Sequence, residues 1–443
     1  MNRTNIELFL NTISKKQKIL DNSEDSTDNV ELEKIDIPYV QVPGGGIFAY
    51  INGDSTGKTV LLRSDIDALP ILESETNLKI KKYVFQKILV LCDGCGHDGH
   101  IAMLLTAAKI LKNMEASLNG RVVLMFEEGE EGHRNIEKLL AYMAEKDMKF
   151  DTCYASHVRW DIPTGNLSCC QGSAMSGLYH FVLEINGKGG HGSRPDLAHS
   201  VIDCFHDIYS NLDTLRLKYI KPNTVLTWSL GSVNAGATFN LIPDKLTCEG
   251  SIRMMDRNSG EEFIKEFERI VAAICPLNYC TYQFKLLEQL LPTENYPACR
   301  KTYIDSIKKQ IGEDVIYDCE PWMASETFSY MCSLFPGVET FVGIKNDELG
   351  SGANHHTPEF DLDEDGLTYG TAAAVSYVLE YFENTPDTSA FEPAYNSISE
   401  LIATFGQQPG SSEYMDLMLN SNNFGIDGTA ELLANVIRKN FGL

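Results

Sequence analysis

The sequence predicts an α/β protein: a main α/β domain on a mostly parallel sheet, interrupted by an inserted α+β domain of ferredoxin-like type. Three observations predict it. Up to about residue 160, short apolar runs ending in polar clusters alternate with helical stretches. From about Gly177 the strands alternate apolar with polar residues, and two long helical segments are interleaved with them. After about residue 290 the first texture returns. The expected domains are therefore 1–176 with 291–383 (main), 177–290 (inserted) and a Ser/Asn-rich tail, 384–443, of unknown role.

Each element follows from its pattern. TVLLRSDIDALP (59–70), RVVLMFEEGEEG (121–132) and FDTCYASHVRW (150–160) read as strands buried on both faces. HIAMLLTAAKILKNM (100–114) and HRNIEKLLAYMAEK (133–146) have helical spacing. In the insert, LYHFVLEINGKG, TVLTWSLGSVNA, LTCEGSIRMMD and TYQFKLLEQL read as half-exposed antiparallel strands. SVIDCFHDIYSNLDTLRLKYI and SGEEFIKEFERIVAAICPL supply the helices, giving the order β-α-β-β-α-β. ETFVGI (339–344) is a further buried strand, and ENTPDTS reads as a linker into a tail with room for two or three short helices.

At 443 residues the chain exceeds what one core usually serves, about 250–300 residues. No apolar run approaches the ~20 residues of a membrane span. The first twenty residues read as an amphipathic helix without a signal-peptide core, so a cytoplasmic location is expected. A net charge of −25 argues against nucleic acid and anionic membrane as partners. The twelve cysteines have no framework spacing and are expected to be reduced and mostly buried.

Four polar clusters sit at strand ends, where ligands of open α/β sheets bind. CDGCGHDGH (92–100) offers a thiol and an imidazole at Cys95 and His97, suited to a divalent metal. Its Cys92-x-x-Cys95 spacing also fits a redox pair, and its glycines fit a plain turn. Glu127-Glu128-Gly129-Glu130-Glu131 places adjacent carboxylates after a strand, where one can ligate and the other carry protons. His157 and the pair His355-His356 complete the set. Each alone reads more readily as a turn, a solvated loop or a structural histidine; their shared placement points to one site.

RSDIDALP, CGHDGH, FEEGEEG, ASHV, GKGGHGSRP, FNLIPD with EGSIR, SETFS and HHTPEFDLDEDGL run in order from about residue 60 to 380. On these stretches the sequence resembles the M20 metallopeptidases, in particular their amidohydrolase branch of aminoacylases, hippurate hydrolases and auxin-conjugate hydrolases. The resemblance implies two divalent ions per subunit (Zn, Mn, Co or Ni) held by Cys95, His97, Glu131, His157 and His356, with His355 competing for the last place. It implies Glu130 as general base and acid, and Asp67 orienting a ligand. The insert would be a lid and homodimerisation domain. From it His191 would reach the partner subunit's site, while Asn240 and Arg253 hold a substrate carboxylate. The implied reaction is cleavage of N-acyl amino acids; the alternatives are a dipeptidase or carboxypeptidase on the same scaffold and, after it, a non-catalytic binding protein. Three departures stand out: IKKYVFQKILV (80–90) before the cysteine motif, Thr327 where an aspartate is usual, and the long tail.

Overall fold

The structure, a computed structural model, describes residues 28–71, 73–74, 78–79, 94–132 and 135–406. The expected N-terminal helix, the segment 80–90, Cys92 and the tail beyond residue 406 lie outside the described residues.

After α1 (Asp28–Lys34) come β1 (Tyr39–Val42), β2 (Gly46–Asn52), β3 (Lys58–Asp65), α2 (His97–Asn113), β4 (Gly120–Glu127), α3 (Ile136–Glu145) and β5 (Thr152–Pro163). β6 (Leu167–Ser168) and β7 (Gly172–Met175) precede the insert. That comprises β8 (Gly177–Asn186), β9 (Gly190–His191), α4 (Val201–Lys218), β10 (Leu226–Ala235), β11 (Leu241–Ile242), β12 (Lys245–Met254), α5 (Arg257–Leu277) and β13 (Thr281–Leu290). The chain returns through β14 (Thr293–Asn295), α6 (Pro297–Gln310), α7 (Ser329–Leu334), β15 (Gly337–Lys345), α8 (Asp365–Glu383) and α9 (Ile398–Gly406).

The main sheet has seven strands in the order β1-β2-β4-β3-β5-β15-β6. Its four central strands pair in parallel, whereas β1–β2, β2–β4 and β15–β6 are antiparallel. The expected parallel arrangement is thus the centre of a mixed sheet. Parallel neighbours need crossover helices, which cover both faces. Side chains divide with the period of two that a strand imposes. Val60, Leu62, Leu124, Phe126, Tyr154 and Val158 enter one core with α2, α6 and α8. Leu61, Val123, Met125, Cys153 and Ala155 enter the other with α3, α7 and α9. Burial on both faces is why these strands read as nearly unbroken apolar runs.

Residues 177–290 form a four-stranded antiparallel sheet, β10-β12-β8-β13, with α4 and α5 packed on it around a third core. The β-α-β-β-α-β order matches the sequence reading. β9 and β11 form a separate small ribbon. Beyond α8 the chain passes to the opposite face of the main sheet, where Leu401 and Phe405 of α9 are buried against α3 and α7. No helix among the described residues is long and apolar enough to cross a membrane.

Candidate active site

The parallel strands bring the polar clusters to one edge. Asp65 at the end of β3 is in register with Glu127 at the end of β4, and His157 of β5 lies opposite Phe341 of β15. α2 opens at this edge. Its N-cap, Gly96, has φ +91°, and a Cβ there would meet Val158 Cγ2 at 2.4 Å. Only glycine fits so close an approach in a left-handed conformation. Cys95 can then precede the helix while His97 and His100 lie on its buried face.

Four groups of three donors result, two of them around Cys95. Cys95, His97 and His157 each place a ligand atom within 4.8 Å of the others, and so do Cys95, Glu131 and His356. Cys95 belongs to both. Its Sγ is 3.6 Å from His157 Nε2, and Glu131 Oε1 is 3.1 Å from His356 Nε2. The other two groups join His97 to Glu130 and Glu131, and to Asp65 and His100. Of the adjacent histidines, His356 enters a group and has a positive φ of 61°, a conformation costly for a non-glycine residue. His355 is buried beside the rings of Phe360 (4.5 Å) and Trp322 (4.8 Å). Burial, with His100 next in effect, holds His355 well below the ordinary histidine pKa.

A layer of carboxylates stands behind these donors. Asp67 Oδ1 lies 3.1 Å from His97 Nδ1, and Asp67 Oδ2 accepts the backbone N–H of Glu131 at 3.0 Å. Asp65 Oδ1 meets His100 Nδ1 at 2.6 Å. Burial works against a charged His97, but Asp65 and the Asp67 hydrogen bond outweigh it and hold the imidazole well above its usual pKa. His157 is held well below it by burial and then by His100 and His355. Burial pushes the Cys95 thiol well up.

Buried Arg63 gathers Asp65, Glu127 and Glu326, at 2.9, 2.7 and 2.9 Å. Thr327, the departure seen in the sequence, closes this network. Its Oγ1 donates to Glu127 at 2.7 Å and accepts from Arg63 Nη2 at 2.9 Å, and its N–H donates to Glu130 Oε1 at 3.2 Å. An aspartate here would add one more carboxylate to a buried cluster already rich in them. Burial first, and Glu326 second, push Glu130 well above the carboxylate range.

The model of peptidase family M20/M25/M40 matches residues 61–380. The chain belongs to this family. IAA-amino acid hydrolase ILR1-like 2 of Arabidopsis thaliana is 31% identical over 358 residues, 80% of this chain and 79% of the plant protein. Thermostable carboxypeptidase 1 of Saccharolobus solfataricus is 30% identical over 338 residues, 75% of this chain and 82% of its own length. The solved structure of Bacillus subtilis YXEP, described as a dinuclear metal binding peptidase from the M20 family, superposes with a TM-score of 0.70. That match is 23% identical and covers 85% of this chain and 99% of the YXEP chain.

This M20 chain is a hydrolase of amide or peptide bonds, and its donors suit divalent cations. Thiol, imidazole and carboxylate converge in two groups that share one sulfur. Four buried acids (Asp65, Glu127, Glu130 and Glu326) also face the guanidinium of Arg63, with His97 beside Asp65 as the second positive group, a surplus of acid that cations would balance.

In the M20 fold the sequence-predicted residues fall into two sets. Cys95, His97, Glu130, Glu131, His157 and His356 come together, with Asp67 against His97. His191 and Asn240 are exposed where the β9–β11 ribbon lies, with Gly192 N–H donating to Asn240 O at 2.9 Å, and His191 joins no donor group among the described residues. Arg253, on β12, reaches Ser325, next to Glu326. Sequence reasoning missed Arg63, Asp65, His100 and Glu326 as contributors. The legible signals were an arginine inside a buried strand and a histidine three positions after His97, on the same helix face.

Proposed function

We propose that this M20 hydrolase cleaves the amide bond of N-acyl amino acids, releasing a carboxylate and a free amino acid. The observation that carries the reading is the pair of three-donor groups sharing Cys95, with buried Glu130 beside them. In this reading Cys95, His97, Glu131, His157 and His356 hold two divalent ions, Zn, Mn, Co or Ni. When bound, such ions supply an acidified water and a polarised carbonyl. Glu130 takes the water's proton and returns it to the departing amine, a task that suits a carboxyl whose pKa is raised by burial. Asp67 fixes the tautomer and direction of His97.

The insert completes the site from a second copy of the chain. β10 is one of the two edges of its sheet, and exposed Ile202, Tyr209 and Val233 lie on α4 and β10, in keeping with pairing of two inserts as a homodimer. His191 of the second copy then steadies the oxyanion. Asn240 and Arg253 hold the substrate carboxylate, which the planar guanidinium can grip through two oxygens. Similarity to a plant IAA-amino acid hydrolase supports an N-acyl amino acid substrate. Similarity to a carboxypeptidase keeps dipeptides as the second reading.

The test is direct. Protein stripped of metal and reloaded separately with Mn, Co, Ni or Zn is given N-acetyl, N-benzoyl and longer N-acyl amino acids together with dipeptides. Released amino acids are then measured by mass spectrometry. Metal-dependent release from the N-acyl substrates supports the reading, release from dipeptides alone transfers it to a dipeptidase, and no release in protein loaded with two ions per chain overturns it.

A further inference from the structure

One thiol pair lies outside the donor groups yet close behind the site. The segment between α6 and α7 runs beside β6 and β7, through bridges of Leu167 with Ile316 and of Met175 with Trp322. Cys319 of this segment has its Sγ 3.8 Å from Sγ of Cys170, which follows β6. The same Cys319 sulfur lies 3.4 Å from Arg159 Nη1 and 3.1 Å from Ser168 Oγ. Arg159 is held in place: its Nε donates to Asp161 at 2.8 Å, its Nη1 donates to Glu320 O at 2.6 Å, and it lies over the Phe341 ring.

Exposure separates the two sulfurs. Cys170 is buried, whereas Cys319 is half-buried between exposed Asp318 and Glu320, within reach of a small solute. A hydrogen bond from the Cys170 thiol, then the Ser168 hydroxyl and Arg159, hold the Cys319 thiol below its ordinary pKa, against burial and the Asp161 carboxylate. Thiolate character with access is what makes a cysteine reactive. Cys204 and Cys275 offer a contrast, with sulfurs also 3.8 Å apart but both sealed inside the third core.

We propose that Cys170 and Cys319 are a hydroperoxide-sensitive dithiol whose closure to a disulfide repositions one wall of the active site. The Cys319 thiolate attacks the O–O bond of a hydroperoxide; a sulfenic acid forms and, with one proton, water or an alcohol leaves. The Cys170 thiol then attacks the sulfenic sulfur, the S–S bond forms, and the hydroxyl departs as water with the thiol proton. The two sulfurs together lose two electrons and the peroxide gains them. Closure brings the sulfurs to about 2.05 Å, drawing the Cys319 segment toward Cys170. Trp322 rides on that segment, its ring 5.3 Å from His157 and 4.8 Å from His355.

The test uses metal-loaded, full-length protein and graded hydrogen peroxide, with peptide mass mapping under non-reducing conditions and hydrolysis followed in parallel. A peptide linking Cys170 to Cys319 is expected before any linking Cys204 to Cys275. Hydrolysis is expected to fall and, on adding dithiothreitol, to return in step with that link. Cys319→Ser keeps basal hydrolysis and resists the same peroxide. Cys170→Ser leaves Cys319 as a sulfenic acid that dimedone captures. No linked peptide, or dimedone labelling of Cys319 no faster than of buried Cys248, overturns the dithiol. A link that leaves hydrolysis unchanged, or equal peroxide sensitivity in Cys319→Ser, overturns its effect on the site. The link is read without any substrate, so its failure is distinct from failure of the hydrolase reading.

Discussion

Asp65 and His100 meet at 2.6 Å with both side chains buried, and His100 Nε2 in turn accepts the backbone N–H of Val158 at 2.9 Å. This chain ties the end of β3 to the strand that carries His157. Burial opposes a charged Asp65, but His100, His97 and Arg63 together hold its carboxyl well below the usual range. Asp65→Asn keeps the shape but removes that charge. It is expected to lower metal affinity or activity by about 10–100-fold, measured as metal per chain by elemental analysis and as kcat/KM. Wild-type values for both would remove Asp65 from the support of the site.

Glu130→Gln removes the proton carrier and leaves the donor groups in place. Metal content is expected to be unchanged while kcat falls by about 10²–10⁴. Unaltered turnover would show that some other group moves the proton.

Cys95 is the donor common to both groups, so Cys95→Ser should lose metal and hydrolysis together. Cys92→Ser, which removes only the other half of the C-x-x-C, should keep both. The reverse pattern would point to a redox pair.

Metal uptake should strengthen as pH rises. Cys95, its thiol pushed up by burial, and His97, its proton held by Asp65 and Asp67, must both shed protons to become ligands. Isothermal titration in buffers of different ionisation enthalpy would count the protons released. Uptake that releases none would contradict the ligand roles of both residues.

The buried face of α9 implies a stability role for the first part of the tail. Phe405 packs edge-on against Tyr330, ring centroids 5.1 Å apart, within the second core. Phe405→Ala is expected to cost about 3–5 kcal/mol in urea unfolding. A loss no larger than that of an exposed phenylalanine such as Phe239 would mean that α9 contributes little to the fold.

The central strands of the main sheet and the elements of the insert were legible because each advertises its surroundings in a short stretch of residues, whereas the long helices α6 and α8 were not read. β3, β4, β5 and β15 are apolar on both faces, and the strands of the insert alternate because only one face is covered. The hairpin of β1 and β2 was not legible: β1 is only four residues long and lies at the sheet edge, and β2 is paired inside the sheet with distant β4. The tail misled in part: its polar composition hides Leu401 and Phe405, whose burial depends on a surface made by distant α3 and α7.

By itself the sequence determined the order of the central strands and of the insert's elements and the clustering of metal-type side chains at strand ends, because these follow from local spacing. Only the tertiary structure decided which side chains meet. His356 rather than its neighbour enters a donor group, Cys95 serves two groups, and Arg63 draws together carboxylates up to 263 positions away in the chain (Glu326 minus Arg63). The physical reason is that charge and coordination act through distances of a few ångströms. Strand register and the left-handed turns at Gly96 and His356 set those distances, and no local pattern of residues records them.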